Sequence, residues 1–166
     1  MDWNELMNYT QVILWFVGSF VPFLGLWIWI YKRNKKLHQN LKRPIYLYEM
    51  QKDNLERVRD ILAETELNPQ DTKTDIKFLD SLNGKSSVCI VGYYHTSTSD
   101  KQIKDIIDKL QNKKIPLIVY APKSQIIDSN TYSVIQNYSY SEICNSPLRL
   151  VTLINSICQT FPYEKR

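Results

Sequence analysis

The hydrophobic pattern divides the chain into two regimes. From Val12 to Ile30 the residues read VILWFVGSFVPFLGLWIWI, nineteen positions without a charged side chain. At about 1.5 Å per residue such a run spans roughly 28 Å, the thickness of a hydrocarbon core. It predicts a membrane-spanning helix over 12–31. Beyond position 43 the apolar residues fall instead into short continuous runs that alternate with longer runs at helical spacing. Pro44 to Met50 reads as a strand and 51–66 as a helix through Leu55, Val58, Ile61 and Leu62, stopped by Asn68-Pro69. The stretch 68–75 reads as a linker and 74–79 as a weak second strand. Ser86 to Tyr94 (SSVCIVGYY) and Ile115 to Ala121 (IPLIVYA) have the continuous apolarity of central strands buried on both faces. A helix starting at Ser99-Asp100 lies between them, with Ile103, Ile106, Ile107 and Leu110 on one face. A looser helical stretch near 124–136, a short run at 138–143 and a helix opening at Pro147 behind Ser146 complete the pattern.

Strands alternating with helices predict an α/β architecture: one N-terminal transmembrane helix, then a small Rossmann-like, flavodoxin-like cytoplasmic domain with a mostly parallel sheet. The expected divisions are a short extracytoplasmic N-terminus over 1–11, the membrane helix over 12–31, a basic juxtamembrane segment over 32–43 and the α/β domain over 44–166.

Charge sharpens this picture. The 166 residues carry a formal net charge of +4, yet Lys32, Arg33, Lys35, Lys36, Lys42 and Arg43 supply six positive charges, so the remainder stands at 4 − 6 = −2. Basic character confined to one flank of an apolar run marks a lipid-facing cluster, not a DNA-binding surface. The same asymmetry keeps the basic flank in the cytoplasm and translocates the N-terminus, which begins with Asp2 and Glu5 and lacks the basic n-region of a signal peptide. The expected location is a bacterial inner membrane, crossed once by an uncleaved anchor. Within the run, Gly18, Pro22 and Gly25 share a face that Trp15 and Trp29 extend. Small residues let helices approach closely in lipid, so this stripe is a candidate seam for a homo-oligomer.

Chemistry is sparser. Cys89, Cys144 and Cys158 are widely spaced in apolar company and suggest neither a disulfide framework nor a metal site. No glycine-rich phosphate loop occurs and no cofactor is implied. Ligands of open parallel sheets bind at the carboxyl ends of the strands. There the hydroxyl-rich loop from Tyr94 to Ser99 precedes a helix N-terminus, and His95, Ser97, Ser99 and Lys123 form a possible ligand loop for an anion, with Thr98 or Ser99 as helix caps. No acid is placed by spacing to partner His95, so no catalytic residue is assigned.

The sharpest local pattern is Arg33-Asn-Lys-Lys-Leu-His38. It has the RxxxxH spacing of HEPN ribonucleases, in which Arg and His from two helical domains surround the scissile phosphate. One N-terminal membrane helix followed by such a divergent motif resembles the membrane accessory protein of type VI-B CRISPR systems. The resemblance covers the overall layout and the six residues from Arg33 to His38, and does not extend through 44–166. It implies an oligomeric membrane effector or pore that enhances antiphage defence by perturbing the inner membrane. The implied partner is an RNA-guided CRISPR RNase or its RNA. Nuclease activity is not expected, because HEPN sites need a helical bundle and this motif borders an α/β domain. The alternative is a membrane-tethered sensor whose Rossmann-like domain binds a nucleotide second messenger, as CARF-like or TIR-like proteins do.

Overall fold

The computed structural model describes residues 3–51, 55–65, 67–83 and 87–160. It divides into two compact units, Met1–His38 and Gln39–Arg166.

The first unit is formed by helix α1, Trp3–Leu41, which continues to the edge of the second. Its described side chains from Tyr9 to His38 are all exposed, Trp15 by 77% and Phe23 by 74%. The core helix of a soluble protein buries one face, whereas the most apolar part of this one buries none within the structure, at a mean hydropathy of 2.0. By length and composition α1 is able to cross a membrane. Beyond 31 the helix continues through a stretch rich in Lys, Arg, Leu and Gln, with no glycine and no proline before Pro44.

The second unit is a five-stranded, wholly parallel sheet in the order β2-β1-β3-β4-β5. The strands are β1 Pro44–Glu49, β2 Asn68–Pro69, β3 Val88–Gly92, β4 Leu117–Tyr120 and β5 Ser141–Cys144, and the helices α2 Glu56–Glu64, α3 Ser99–Gln111, α4 Ser129–Gln136 and α5 Pro147–Thr160. This is the flavodoxin-like order. Every residue of β3 and β4 is buried, so both faces of the sheet must be covered. The pleat sorts alternate side chains onto the two cores. Cys89, Val91, Leu117 and Val119 pack with Ile103, Ile106 and Leu110 of α3 and Ile135 of α4. Ile45, Leu47, Ile90 and Ile118 pack with Val58 and Leu62 of α2 and Leu150, Ile154 and Ile157 of α5.

Three sequence expectations are corrected. The supposed linker contains the edge strand, since Asn68 and Pro69 pair with Pro44 and Ile45. The stretch 74–79 is not a strand: the Asp75 side chain accepts the Lys77 N–H at 2.9 Å and opens a 3₁₀ turn over Ile76–Ser81. Lys113 from beyond α3 closes that turn, its ammonium donating to the carbonyls of Leu79 at 3.1 Å, Leu82 at 3.0 Å and Asp80. Arg43 does not join the expected lipid-facing cluster. It is 1% exposed in the second unit, and its charge bears on the thiol of Cys158 in α5, because the chain has already turned into β1 at Pro44.

The central strands carry the stability. Ile118→Ala, at a position with no exposed surface, removes buried methylenes and leaves a cavity, and is expected to cost about 2–5 kcal/mol. Urea unfolding of the full chain in detergent measures this, whereas the exposed Ile126→Ala should shift the midpoint little.

Candidate functional site

The chain runs outward from β1 to β2 on one side and to β3, β4 and β5 on the other, so the order reverses between β1 and β3. Open α/β sheets bind ligands at the carboxyl ends of strands beside such a reversal. Here those ends are Glu49, Gly92, Tyr120 and Cys144.

Glu49 is 7% exposed, and its Oε1 accepts the Leu55 N–H at 2.6 Å. At the end of β3, Tyr93 is fully buried. Burial raises its phenol above the ordinary value, opposed by hydrogen bonds with the side chains of Thr131 and Ser99. The Tyr93 hydroxyl lies 3.3 Å from Nδ1 of His95. That imidazole is 57% exposed, and its Nδ1 stands 4.0 Å from Oδ2 of Asp128. The His95 N–H donates to Oε1 of Gln125 at 3.2 Å, tying the loop after β3 to the loop after β4.

Asp128 caps α4: Oδ1 accepts the N–H groups of Asn130 and Thr131, and Oδ2 the Thr131 hydroxyl, each at 2.9 Å. These bonds, led by the Thr131 N–H, hold its carboxyl below the ordinary range. Asp100, in the first turn of α3, is hydrogen-bonded to Asp128 and raised, by desolvation first and by the charge of Asp128 second. The two shifts run in opposite directions, so as pH falls Asp100 takes up a proton before Asp128 does, and the two carboxyls meet between the N-termini of α3 and α4. His95 is a cation source beside them when protonated. Such a group suits ligand hydroxyl or amino donors.

Of the expected ligand loop, His95 meets a partner that spacing did not reveal. Ser97 and Lys123 are exposed. Ser99 is 1% exposed and its hydroxyl is committed within the loop, accepting the Thr96 N–H at 2.6 Å and donating to the Tyr94 carbonyl at 2.9 Å. It does not cap α3, and Thr98, the cap residue, makes no capping side-chain bond either. Sequence reasoning missed Asp128, Asp100, Tyr93 and Thr131. Asp128 ahead of Ser129 was a readable helix start, hidden by the apolar pair Ile126-Ile127. Ile126 is in fact 82% exposed, and with Tyr132 and Leu148 it makes up the large hydrophobics exposed among the described residues of this unit. All three lie on connections leaving the carboxyl ends of β4 and β5. Cys89 is buried and its thiol is pushed up to about 12 by burial, so it is no nucleophile. Among the described residues no group of three metal-ligating side chains converges.

Arg33 and His38 are both exposed on α1. Five residues at about 100° each set their side chains roughly 140° apart, so one copy of the helix does not bring them together. The Arg33 guanidinium lies 5.3 Å from the centroid of the Trp29 ring. On the expected seam, a Cβ added at Gly18 or Gly25 would meet nothing within 4 Å.

No protein-family model matches the chain. No curated protein matches it either. Among solved structures it is similar to a 3-dehydroquinate dehydratase-like protein from Bifidobacterium longum, at 10% identity and a TM-score of 0.46, covering 71% of this chain and 96% of that one.

The carboxyl pair makes a pH prediction. A raised folded pKa means that Asp100 contributes stability while protonated and loses it as pH rises through that pKa. Asp128, with a lowered pKa, contributes above its unfolded value and loses it as pH falls. Asp100→Asn keeps a donor facing Asp128 and removes the first dependence. The variant should therefore lose less stability than the parent protein as pH rises above the ordinary carboxylate range, and both should fall in strong acid. Circular dichroism melts across pH test this, and parallel curves for the two proteins would refute a raised Asp100.

Proposed function

We propose that the protein is a membrane-tethered sensor in which α1 anchors a flavodoxin-like domain, and the carboxyl edge of the sheet binds a nucleotide second messenger. The observation that carries this reading is the convergence of His95, Asp100 and Asp128 at the carboxyl ends of β3 and β4, one strand along from the reversal between β1 and β3. Carboxylates accept sugar hydroxyls as readily as they repel phosphates. Exposed Ile126, Tyr132 and Leu148 at the same end of the sheet suit the flat face of a base. The helix lies in a bacterial inner membrane with the N-terminus outside and the domain in the cytoplasm, as the positive flank favours. A reporter fused after Arg166 is then active only in the cytoplasm, and periplasmic activity would reverse the orientation.

The binding experiment uses the full chain in detergent, melted with nucleosides, nucleotides and cyclic mono- and oligonucleotides. One class should stabilise it, by about 2.7 kcal/mol at a hundredfold excess over Kd. The shift should vanish in His95→Ala, a substitution at an exposed position. A silent panel, or a shift that survives both His95→Ala and Asp100→Asn, rejects the site.

The second reading is an oligomeric membrane effector or pore with the antiphage role that the type VI-B resemblance implies. The placing of Gly18, Pro22 and Gly25 on one helix face favours it. Gly18→Leu or Gly25→Leu should then lose on the order of 1–2 kcal/mol per helix contact and shrink the particle in detergent, whereas Leu24→Ala should do less. Particles of unchanged size would leave α1 as an anchor alone.

A further inference from the structure

We propose that the other face of the same sheet edge carries a phosphate-binding subsite, in which the guanidinium groups of Arg57 in α2 and Arg149 in α5 and the hydroxyl of Tyr120 at the end of β4 receive a phosphate group. This deepens the nucleotide reading by giving the ligand's phosphate a place. It rests on that reading only for the source of the phosphate, since none of the three side chains belongs to the group around His95.

Strand register and crossover direction bring the three together. Tyr120 pairs with Cys144, the last residue of β5, and both side chains belong to the core that α2 and α5 cover. The two helices begin beyond the carboxyl ends of β1 and β5 and touch each other over that core. Arg57 is the second residue of α2 and Arg149 the third of α5, so both cations stand at the edge where β4 and β5 end. Both are exposed, and among the described residues neither is paired with a carboxylate. The charge of Arg57 bears on the Tyr120 phenol, that of Arg149 on the Cys144 thiol, and the thiol in turn on the phenol, which makes the four groups one cluster.

The chemistry of the cluster selects its occupant. Tyr120 is 8% exposed, yet among the described residues its hydroxyl has no hydrogen-bond partner. A phenol buried to this degree leaves its donor to whatever enters the edge. Burial first, and the charge of Cys144 second, raise it above its ordinary value against the opposing charge of Arg57, so at neutral pH it still carries its proton. The Cys144 thiol is already committed, donating to the Ser146 carbonyl at 3.0 Å. Two guanidinium forks and one hydroxyl donor match the oxygens of a phosphate. The start of α2 adds to them, because its cap residue Leu55 makes no side-chain bond to the first-turn N–H groups, whereas Asp128 does so at α4. Of the acids at this helix start, Glu49 has its Oε1 occupied by the Leu55 N–H, and Glu56 diverges from Arg57 by about 100° round the helix.

The full chain in detergent is melted with inorganic pyrophosphate at constant ionic strength, and the shifts are converted to Kd. Pyrophosphate should stabilise the parent protein, and its Kd should rise on the order of tenfold in Arg57→Gln and in Arg149→Gln. Arg59→Gln, which removes the same charge from another exposed position of α2, should leave it unchanged. Tyr120→Phe keeps the buried ring and should weaken binding severalfold without lowering the melting temperature of the unliganded protein. No stabilisation of the parent, equal losses in Arg57→Gln and Arg59→Gln, or loss of pyrophosphate binding in His95→Ala would each overturn the subsite. The source of the phosphate is read separately, since a nucleoside diphosphate should bind more tightly than pyrophosphate and lose that gain in His95→Ala. Pyrophosphate binding without such a gain rejects the nucleotide reading and keeps the subsite, whereas tighter binding of dihexanoylphosphatidate than of any nucleoside diphosphate assigns the phosphate to a lipid headgroup.

Discussion

The second unit depends on the complete burial of β3 and β4. A strand with no exposed face must find backbone partners on both sides and apolar cover above and below, and parallel pairing with helical crossovers supplies all four. The register follows: Cys89 opposite Leu117 and Leu117 opposite Ser141 carry the pairing outward, while Ile45 opposite Val88 carries it the other way. Parallel direction then forces every crossover to leave from the same edge. The loops that hold His95, Asp128 and Ser146 lie at one end of the sheet for this reason, with no contribution from their own composition.

At that edge the polar groups are organised from below by Tyr93, whose burial at the end of β3 presents its hydroxyl to His95 from the protein side. Ser99 is equally committed, and by bonding to Thr96 and Tyr94 it converts the loop after β3 into a closed turn. A turn closed by its own hydrogen bonds and holding one exposed imidazole differs physically from an unbonded hydroxyl-rich loop. The first offers a fixed direction to a ligand, and the second would have to be ordered by it at an entropic cost.

Much of this was legible in the sequence. Continuous apolar runs identify β3 and β4, and periodic isoleucines identify α3, because a surface buried on both faces or along one stripe leaves a repeating trace. The edge strand left none: Asn68 and Pro69 pair with β1 through backbone alone, over a length too short to have a period. The 3₁₀ turn at Ile76–Ser81 was misread because Ile76, Phe78 and Leu79 alternate well enough to mimic a strand, while the Lys113 side chain that closes it comes from far along the chain. Arg43 was placed with its basic neighbours because charge runs are read by proximity in sequence, whereas burial follows the chain's turn into β1. The acid partner of His95 lies thirty-three positions away by number, in another loop, and no spacing rule reaches it.

The charge at the two helix N-termini decides what this edge is able to recognise. An empty helix N-terminus attracts anions through its unpaired N–H groups and dipole. At α4 two of those N–H groups are already met by Asp128, and the first turn of α3 carries a second carboxyl, Asp100, so anions meet acidic groups at both helix starts. A phosphate arriving there would have to displace Asp128 and then share the space with it. A hydroxyl would need only to donate to an oxygen whose negative charge is already balanced. The anion loop expected from Tyr94 to Ser99 is thus, once its partners are counted, an edge whose carboxylates favour hydrogen-bond donors over anions, with Lys123 left exposed on the next loop.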